Sequence, residues 1–256
     1  MLEARGLTRR FSGITVVNNV SFSVSPGEVL GYLGPNGSGK TTTVRMITGL
    51  LEPSSGRVFF DGRDIADDLV AFRRRLGYVP EEPHLYPFLS GREYLQLVGR
   101  LRELPATLLD RKIDALLQLL GLEHDAEQAI GSYSKGMRQK VLIIAALLHD
   151  PQVLIFDEPL SGLDLTAALV FRHLVKELGC RGKTILYSSH VLEVVEKLCS
   201  RVVVLHGGRV IAHDSVQHLR ERLSRDSLED VFTDLVMQEH PERLAREIAD
   251  VSALRA

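Results

Sequence analysis

The stretch Gly34-Pro35-Asn36-Gly37-Ser38-Gly39-Lys40-Thr41 constrains this 256-residue chain more than any other feature. The apolar run Val29 to Leu33 precedes it and reads as a short buried strand. Thr43 to Ile47 follows and reads as the first turns of a helix. The spacing G-x-x-x-x-G-K-[ST] in a strand-loop-helix context is a phosphate-binding loop. Its glycines let backbone N–H groups turn inward as an anion nest, and the helix N-terminus adds its positive dipole end. Lys40 then reaches the outer phosphates, and Thr41 offers its hydroxyl to Mg²⁺. At average residue usage the match arises by chance in about one per cent of chains this long, so a plain Gly-rich turn is set aside. The stretch predicts binding of a nucleoside triphosphate.

Thirty-one basic and 33 acidic residues leave a formal charge of −2. No global field favours nucleic acid. Cys180 and Cys199 stand in no metal-like spacing and read as reduced thiols of a cytosolic protein. The longest continuous apolar run, Val141 to Leu148, falls far short of the ~20 residues of a spanning helix. The first residues lack a signal-peptide core. A soluble chain is expected, with any membrane role supplied by a partner.

Along the chain, residues 2–33 alternate β-like runs with turns, and Val20 to Val24 has period two. Phe11 lies in the polar stretch Arg9 to Gly13, placed either to stack on an adenine ring or to close the edge of a core. Gly56 to Phe60 reads as a strand and Leu69 to Leu76 as a short helix. In Gly77 to Pro87, three prolines within eight residues predict a shaped loop with exposed apolar side chains. Helical spacing then runs from Ser90, with Glu93 a capping-box signature, through Tyr94–Leu104 and Leu108–Leu120. Ser134 is placed to cap a further helix through 141–148. Val153 to Glu158 is a buried strand ending in two acids; strand 184–188, helix 190–199 and strand 201–205 follow. This alternation predicts a parallel sheet with its site at the strand C-terminal ends. Two amphipathic helices are expected in the tail, around Leu228–Met237 and Arg243–Ala253.

Beside a phosphate loop, the acid pair gains chemical meaning. Asp157 is suited to the Mg²⁺ shell, and Glu158 to orienting or deprotonating the attacking water. Taken alone, the pair could equally be solvated acids at a strand end. His190, after Ser188-Ser189 at another strand end, is placed for a γ-phosphate contact or for a structural role. The helix start Ser134 to Met137 is either a second anion site or an ordinary capped core helix.

Together these stretches resemble the nucleotide-binding subunit of an ATP-binding cassette (ABC) transporter, from about Leu2 to Asp214. The resemblance matches Gly34–Thr41 to the Walker A loop and Val153–Glu158 to the Walker B strand. Phe11 matches the A-loop aromatic, Ser161-Gly162-Leu163-Asp164 the D-loop, and His190 the switch histidine. It implies an α/β P-loop NTPase core of the ABC type with a mainly parallel sheet, an N-terminal antiparallel β-subdomain and an inserted helical subdomain at about 84–148. Residues 1–226 would form the ATPase domain and 227–256 a C-terminal helical extension. Nucleotide contacts are implied for Phe11, Gly34, Pro35, Asn36, Gly37, Ser38, Gly39, Lys40, Thr41, Thr42, Ser134, Gly136 and Asp164. Catalytic roles are implied for Glu158, His190 and Glu81, and Mg²⁺ ligation for Thr41, Asp157 and Glu81.

Two stretches depart from the usual pattern. The signature Leu-Ser-Gly-Gly-Gln is here Tyr133-Ser134-Lys135-Gly136-Met137, and the Q-loop glutamine is Glu81, which adds negative charge near the phosphates. These variants, and the tail Ser227 to Phe232, are similar to ATPases of the second type of bacterial ABC exporter. That resemblance implies two subunits, a homodimer being permitted by Glu158 and Ser134, which sandwich two ATP molecules head to tail. Closure and hydrolysis would drive a separate transmembrane permease. The protein would then be cytoplasmic and peripheral on the inner face of the cell membrane, with no direct nucleic-acid contact. The Pro80–Leu89 loop is the candidate docking surface, or else packs on its own helical lobe. A soluble ABC-type ATPase acting on ribosomes or DNA is the alternative, disfavoured by a single cassette without a coiled-coil insertion or basic tract. A small-molecule kinase would leave 161–164 and His190 without use.

Overall fold

Two kinds of strand pattern produce two sheets. The computed structural model describes residues 1–225 and 227–236, together with 246, 250 and 252. The strands β1 (Leu2–Phe11), β2 (Ile14–Val24), β4 (Ser55–Phe60) and β5 (Arg63–Asp64) form an antiparallel sheet in the order β2-β1-β4-β5. In β2 the period-two run points Val20, Phe22 and Val24 inward, as one buried face requires. By contrast, β3 (Val29–Leu33), β7 (Val153–Asp157) and β8 (Thr184–Ser188) are buried along their whole length. Covered on both faces, such strands read as continuous apolar runs. With β6 (Leu76–Val79), β9 (Arg201–His206) and β10 (Arg209–Ser215) they make a six-stranded sheet in the order β10-β9-β3-β8-β7-β6, parallel except at β10.

Register decides what meets at the edge. Tyr32 of β3 and Asp157 of β7 both pair with Ser188 of β8, and Phe156 pairs with Val79 of β6. The C-terminal ends of four strands therefore align, and the segments that leave them converge on one side.

Among the described residues, three apolar clusters hold the fold. One lies between the two sheets and takes in α1 (Lys40–Ile47) and Phe72 of α2 (Leu69–Arg74). A second, on the opposite face of the six-stranded sheet, takes in α6 (Leu165–Cys180), α7 (Leu192–Leu198) and α8 (Val216–Leu223). Leu228 and Val231 of α9 (Leu228–Val236) are buried in it too, so the described part of the tail docks on the core. The third joins α3 (Gly91–Leu101), α4 (Ala106–Leu119) and part of α5 (Lys135–Leu147) through Leu95, Leu109, Ile113 and Ile144. Each such fully buried side chain stabilises the fold by roughly 1.5–3 kcal/mol.

The local signals act as their chemistry predicts. Ser90 and Glu93 form a complete capping box at α3, and the Ser134 hydroxyl accepts from the Met137 N–H at α5. The expected helix through Leu76 ends at Arg74 instead, and the expected loop from Gly77 begins after Val79. Tertiary packing overrides there. A Cβ on Gly77 would lie 2.4 Å from the Ala146 carbonyl and 2.7 Å from Leu154, so α5 presses directly on a glycine-bearing strand. Within the loop, Tyr86 and Phe88 are exposed as expected, but Leu85 turns inward against the second and third clusters. The helix expected near Arg243–Ala253 lies largely outside the described residues.

Candidate nucleotide site

The phosphate loop leaves β3 at the middle of the parallel sheet and enters α1. Gly37 and Gly39 adopt φ of 77° and 102°, a region that glycine enters without steric cost. A Cβ on Gly34 would fall 2.4 Å from the Leu205 carbonyl, so the loop is wedged tightly against β9. The Thr43 hydroxyl donates to the Gly39 carbonyl at 2.9 Å, binding the first turn of α1 back to the loop. Lys40 is buried, and its Nζ donates to the carbonyls of Gly34 (2.7 Å) and Pro35 (3.2 Å). Burial pulls its pKa below the usual lysine value, while Glu158, Asp157 and Glu81 favour the charged form. The ammonium thus sits inside the loop, facing an acidic edge.

Asp157 ends β7 with 1% of its surface exposed, and among the described residues neither carboxylate oxygen has a hydrogen-bond partner of good geometry. Burial pushes its pKa up to about 6; the Ser188 hydroxyl beside it and the Lys40 charge oppose that rise, while Glu81 and Glu158 add to it. An unpartnered buried carboxylate is costly, and a divalent cation would satisfy it. Thr41 and Glu81 fit the same need, because the Thr41 hydroxyl donates to Glu81 Oε2 at 3.5 Å. Oxygen donors of this kind suit Mg²⁺, which is typically held by one or two carboxylates and substrate phosphates.

Glu158 follows with φ of 49°, an uncommon conformation for a residue with a side chain. Its N–H donates to the Ser188 carbonyl at 3.0 Å. Its Oε1 lies 2.8 Å from His190 Nδ1, and its Oε2 accepts from the Ser189 hydroxyl at 3.3 Å. Ser189 is buried and in turn accepts from the Val191 N–H at 3.1 Å. Sequence reasoning missed Ser189 as a partner of Glu158; its place beside His190 was the only signal. Phe11 is 42% exposed at the β1–β2 turn, with the Arg9 guanidinium 4.7 Å over its ring.

Ser134, Gly136 and Asp164 form a separate group. Asp164 Oδ1 caps α6 by accepting from Ala167 N–H at 2.8 Å, and that bond lowers its pKa. A Cβ on Gly136 would lie 2.5 Å from the Gly162 carbonyl, so the start of α5 rests on the 161–164 segment. Among the described residues, no hydrogen bond joins this group to the phosphate loop of its own chain.

The profile described as ABC transporter matches residues 17–161. The ABC transporter ATP-binding protein NatA of Bacillus subtilis is 39% identical over 237 residues, covering 91% of this chain and 96% of NatA. The chain belongs to the ABC transporter family. Within that family it is an ATP-binding subunit with ATPase activity. A Nod factor export ATP-binding protein I of Ralstonia nicotianae is 38% identical, covering 85% of this chain and 69% of that protein. Among solved structures, an ATP-binding subunit of an ABC transporter matches with a TM-score of 0.86 and 35% identity over 91% of this chain and 98% of its own. A dimeric bacterial ABC transporter cassette matches with a TM-score of 0.78 and 26% identity, over 84% and 98% of the two chains. The ABC cassette fold expected from the sequence, a mainly parallel core beside an antiparallel N-terminal sheet, is the one observed.

Proposed function

We propose that this ABC ATPase is the motor subunit of an exporter whose membrane-spanning part is a separate permease. The observation that carries the reading is the convergence of Lys40, the unpartnered Asp157 and the braced Glu158 at one edge of the sheet. The phosphate loop, Gly34 to Thr42, binds the triphosphate through its backbone N–H groups and Lys40. Asp157, Thr41 and Glu81 would hold Mg²⁺, which when bound neutralises phosphate charge. Glu158 orients and deprotonates the attacking water, and His190 holds the other face of that carboxylate towards the γ-phosphate. Phe11 stacks on the adenine.

Ser134, Gly136 and Asp164 have no bond to their own phosphate loop, and two copies arranged head to tail would bring them onto the partner's ATP. The likeness to a dimeric cassette supports that arrangement. ATP that binds the closed pair better than the open one shifts the population towards closure, and hydrolysis releases it. Export is supported by the Nod factor relative. Among the described residues no helix is long and apolar enough to cross a membrane, so the permease would dock elsewhere on the surface. Tyr86 and Phe88, 53% and 76% exposed on the Pro80–Leu89 loop, are the proposed contact. Bound to such a permease, the subunit would sit on the cytoplasmic face of the cell membrane.

Glu158→Gln tests the reading. The variant should bind ATP and accumulate as a dimer in size-exclusion chromatography, with turnover lost. Unchanged turnover would overturn the role of Glu158, and an ATP-bound monomer would overturn the sandwich.

A further inference from the structure

Lys135 stands in the signature stretch where the family pattern has glycine, and its side chain has a defined place. Its Nζ donates to the Ser161 hydroxyl at 2.6 Å, the short distance of a charge-assisted bond. Its stem lies flat on Gly162, where a Cβ would meet Lys135 Cγ at 2.7 Å and Cδ at 2.9 Å. Gly162 has φ of 82°, so both the space and the backbone there call for glycine. Beneath, Gly136 touches the Gly162 carbonyl, and one turn on, buried Gln139 donates Nε2–H to the Pro159 carbonyl at 3.0 Å.

The clasped segment leads directly to Glu158. The Ser161 N–H donates to the Glu158 carbonyl at 3.1 Å, closing a tight turn over 158–161. That turn begins at the positive φ of Glu158, a conformation that persists only where its surroundings over-determine it. A cation in the first turn of α5 is opposed by the helix dipole, and α5 has no acid in that turn. A lysine held there against the dipole has its compensation in Ser161.

We infer that Lys135 is a positioning residue for hydrolysis. Through Ser161 it locks the turn that carries Glu158 to the first turn of α5, so that the two move as one body. The inference rests on Glu158 being the group that activates water, as proposed above. In this role Lys135 acts through its bond to Ser161.

Single-turnover and steady-state ATPase assays on Lys135→Met, Ser161→Ala and the double variant test it. Each single change should lower kcat about fivefold with KM for ATP unchanged, and the double should fall no further, since both remove one contact. Lys135→Arg should retain most of the rate. Amide hydrogen exchange over 159–164, measured without nucleotide, should quicken in Lys135→Met. Unchanged kcat in both single variants, multiplicative losses, or unaltered exchange would overturn the inference. Glu158→Gln in the same assay separates the two ideas. If that variant still turns over, the role of Glu158 falls, and the exchange data still decide whether Lys135 holds the turn.

Discussion

Nδ1 of His190 lies 2.8 Å from Oε1 of Glu158, although the two residues leave different strands. The Asp157–Ser188 register of β7 and β8 brings them together, while the Ser189 hydroxyl holds the second carboxylate oxygen. Glu158 is thus oriented from two sides before any substrate arrives.

The first prediction concerns this pair. Glu158→Gln should lower kcat by about 10²–10⁴-fold, the range for loss of a general base. His190→Ala should cost about tenfold through loss of one close polar contact to a charged group. Combined, they should cost little more than Glu158→Gln alone. Steady-state ATPase rates check this; independent, multiplicative losses would mean that His190 does not act through Glu158.

For Asp157, the cost of burial outweighs the help of Lys40 and Ser188, so its removal should separate stability from activity. With its pKa pushed up to about 6, the carboxyl resists ionisation in the folded state. Its contribution to stability therefore falls as pH rises from the unfolded value towards about 6, and stays unfavourable above it. Asp157→Asn should raise Tm at pH 8 without Mg²⁺ by roughly 3 °C or more while abolishing Mg²⁺-dependent turnover. A lower Tm in that variant would mean that the carboxylate has a stabilising partner within the chain.

His149 supplies a pH prediction away from the site. Burial, with Arg102 and Lys112 nearby, lowers its pKa to about 4, while the Leu76 carbonyl, 3.0 Å from Nε2, and Asp150 favour the charged ring. A folded pKa below the unfolded value means that the unfolded chain binds the extra proton first. Stability is then full above about pH 6.5 and declines as pH falls towards 4. His149→Gln should flatten that part of a Tm-against-pH curve; an unchanged slope would assign the acid sensitivity to other groups.

Gly77 tests the packing of α5 on β6. The Cβ of Gly77→Ala would meet the Ala146 backbone carbonyl at 2.4 Å, an atom that cannot rotate away. Overpacking of this kind typically costs about 1–3 kcal/mol, which urea denaturation would register as a lower midpoint. Wild-type stability would mean that α5 shifts freely over the strand.

Much of the site was legible because its signals are local. The phosphate loop is one continuous stretch whose glycines and lysine act on their own backbone. The acids at 157 and 158 end a run apolar enough to be a buried strand, and Ser90 and Ser134 cap helices within three residues of themselves. The misreadings fall where distant residues decide. The strand at Leu76 follows from its pairing with Val153, far along the chain. No expectation covered the half-exposed β10, which shows no clean alternation and exists by pairing with β9. Leu85 turns inward because two apolar clusters meet beneath it.

The triphosphate chemistry and the helix starts at Ser90 and Ser134 could be read from the chain alone, since each depends on residues within hydrogen-bonding reach along it; the helices Leu165–Cys180 and Val216–Leu223 were not foreseen. Folding in three dimensions is what lets His190 and Ser189 brace Glu158, leaves the Asp157 oxygens without a well-placed partner among the described residues, and sets Lys135 on Ser161. Those contacts join residues up to 32 positions apart, and strand register and helix packing bring them together without leaving any periodic mark in the sequence.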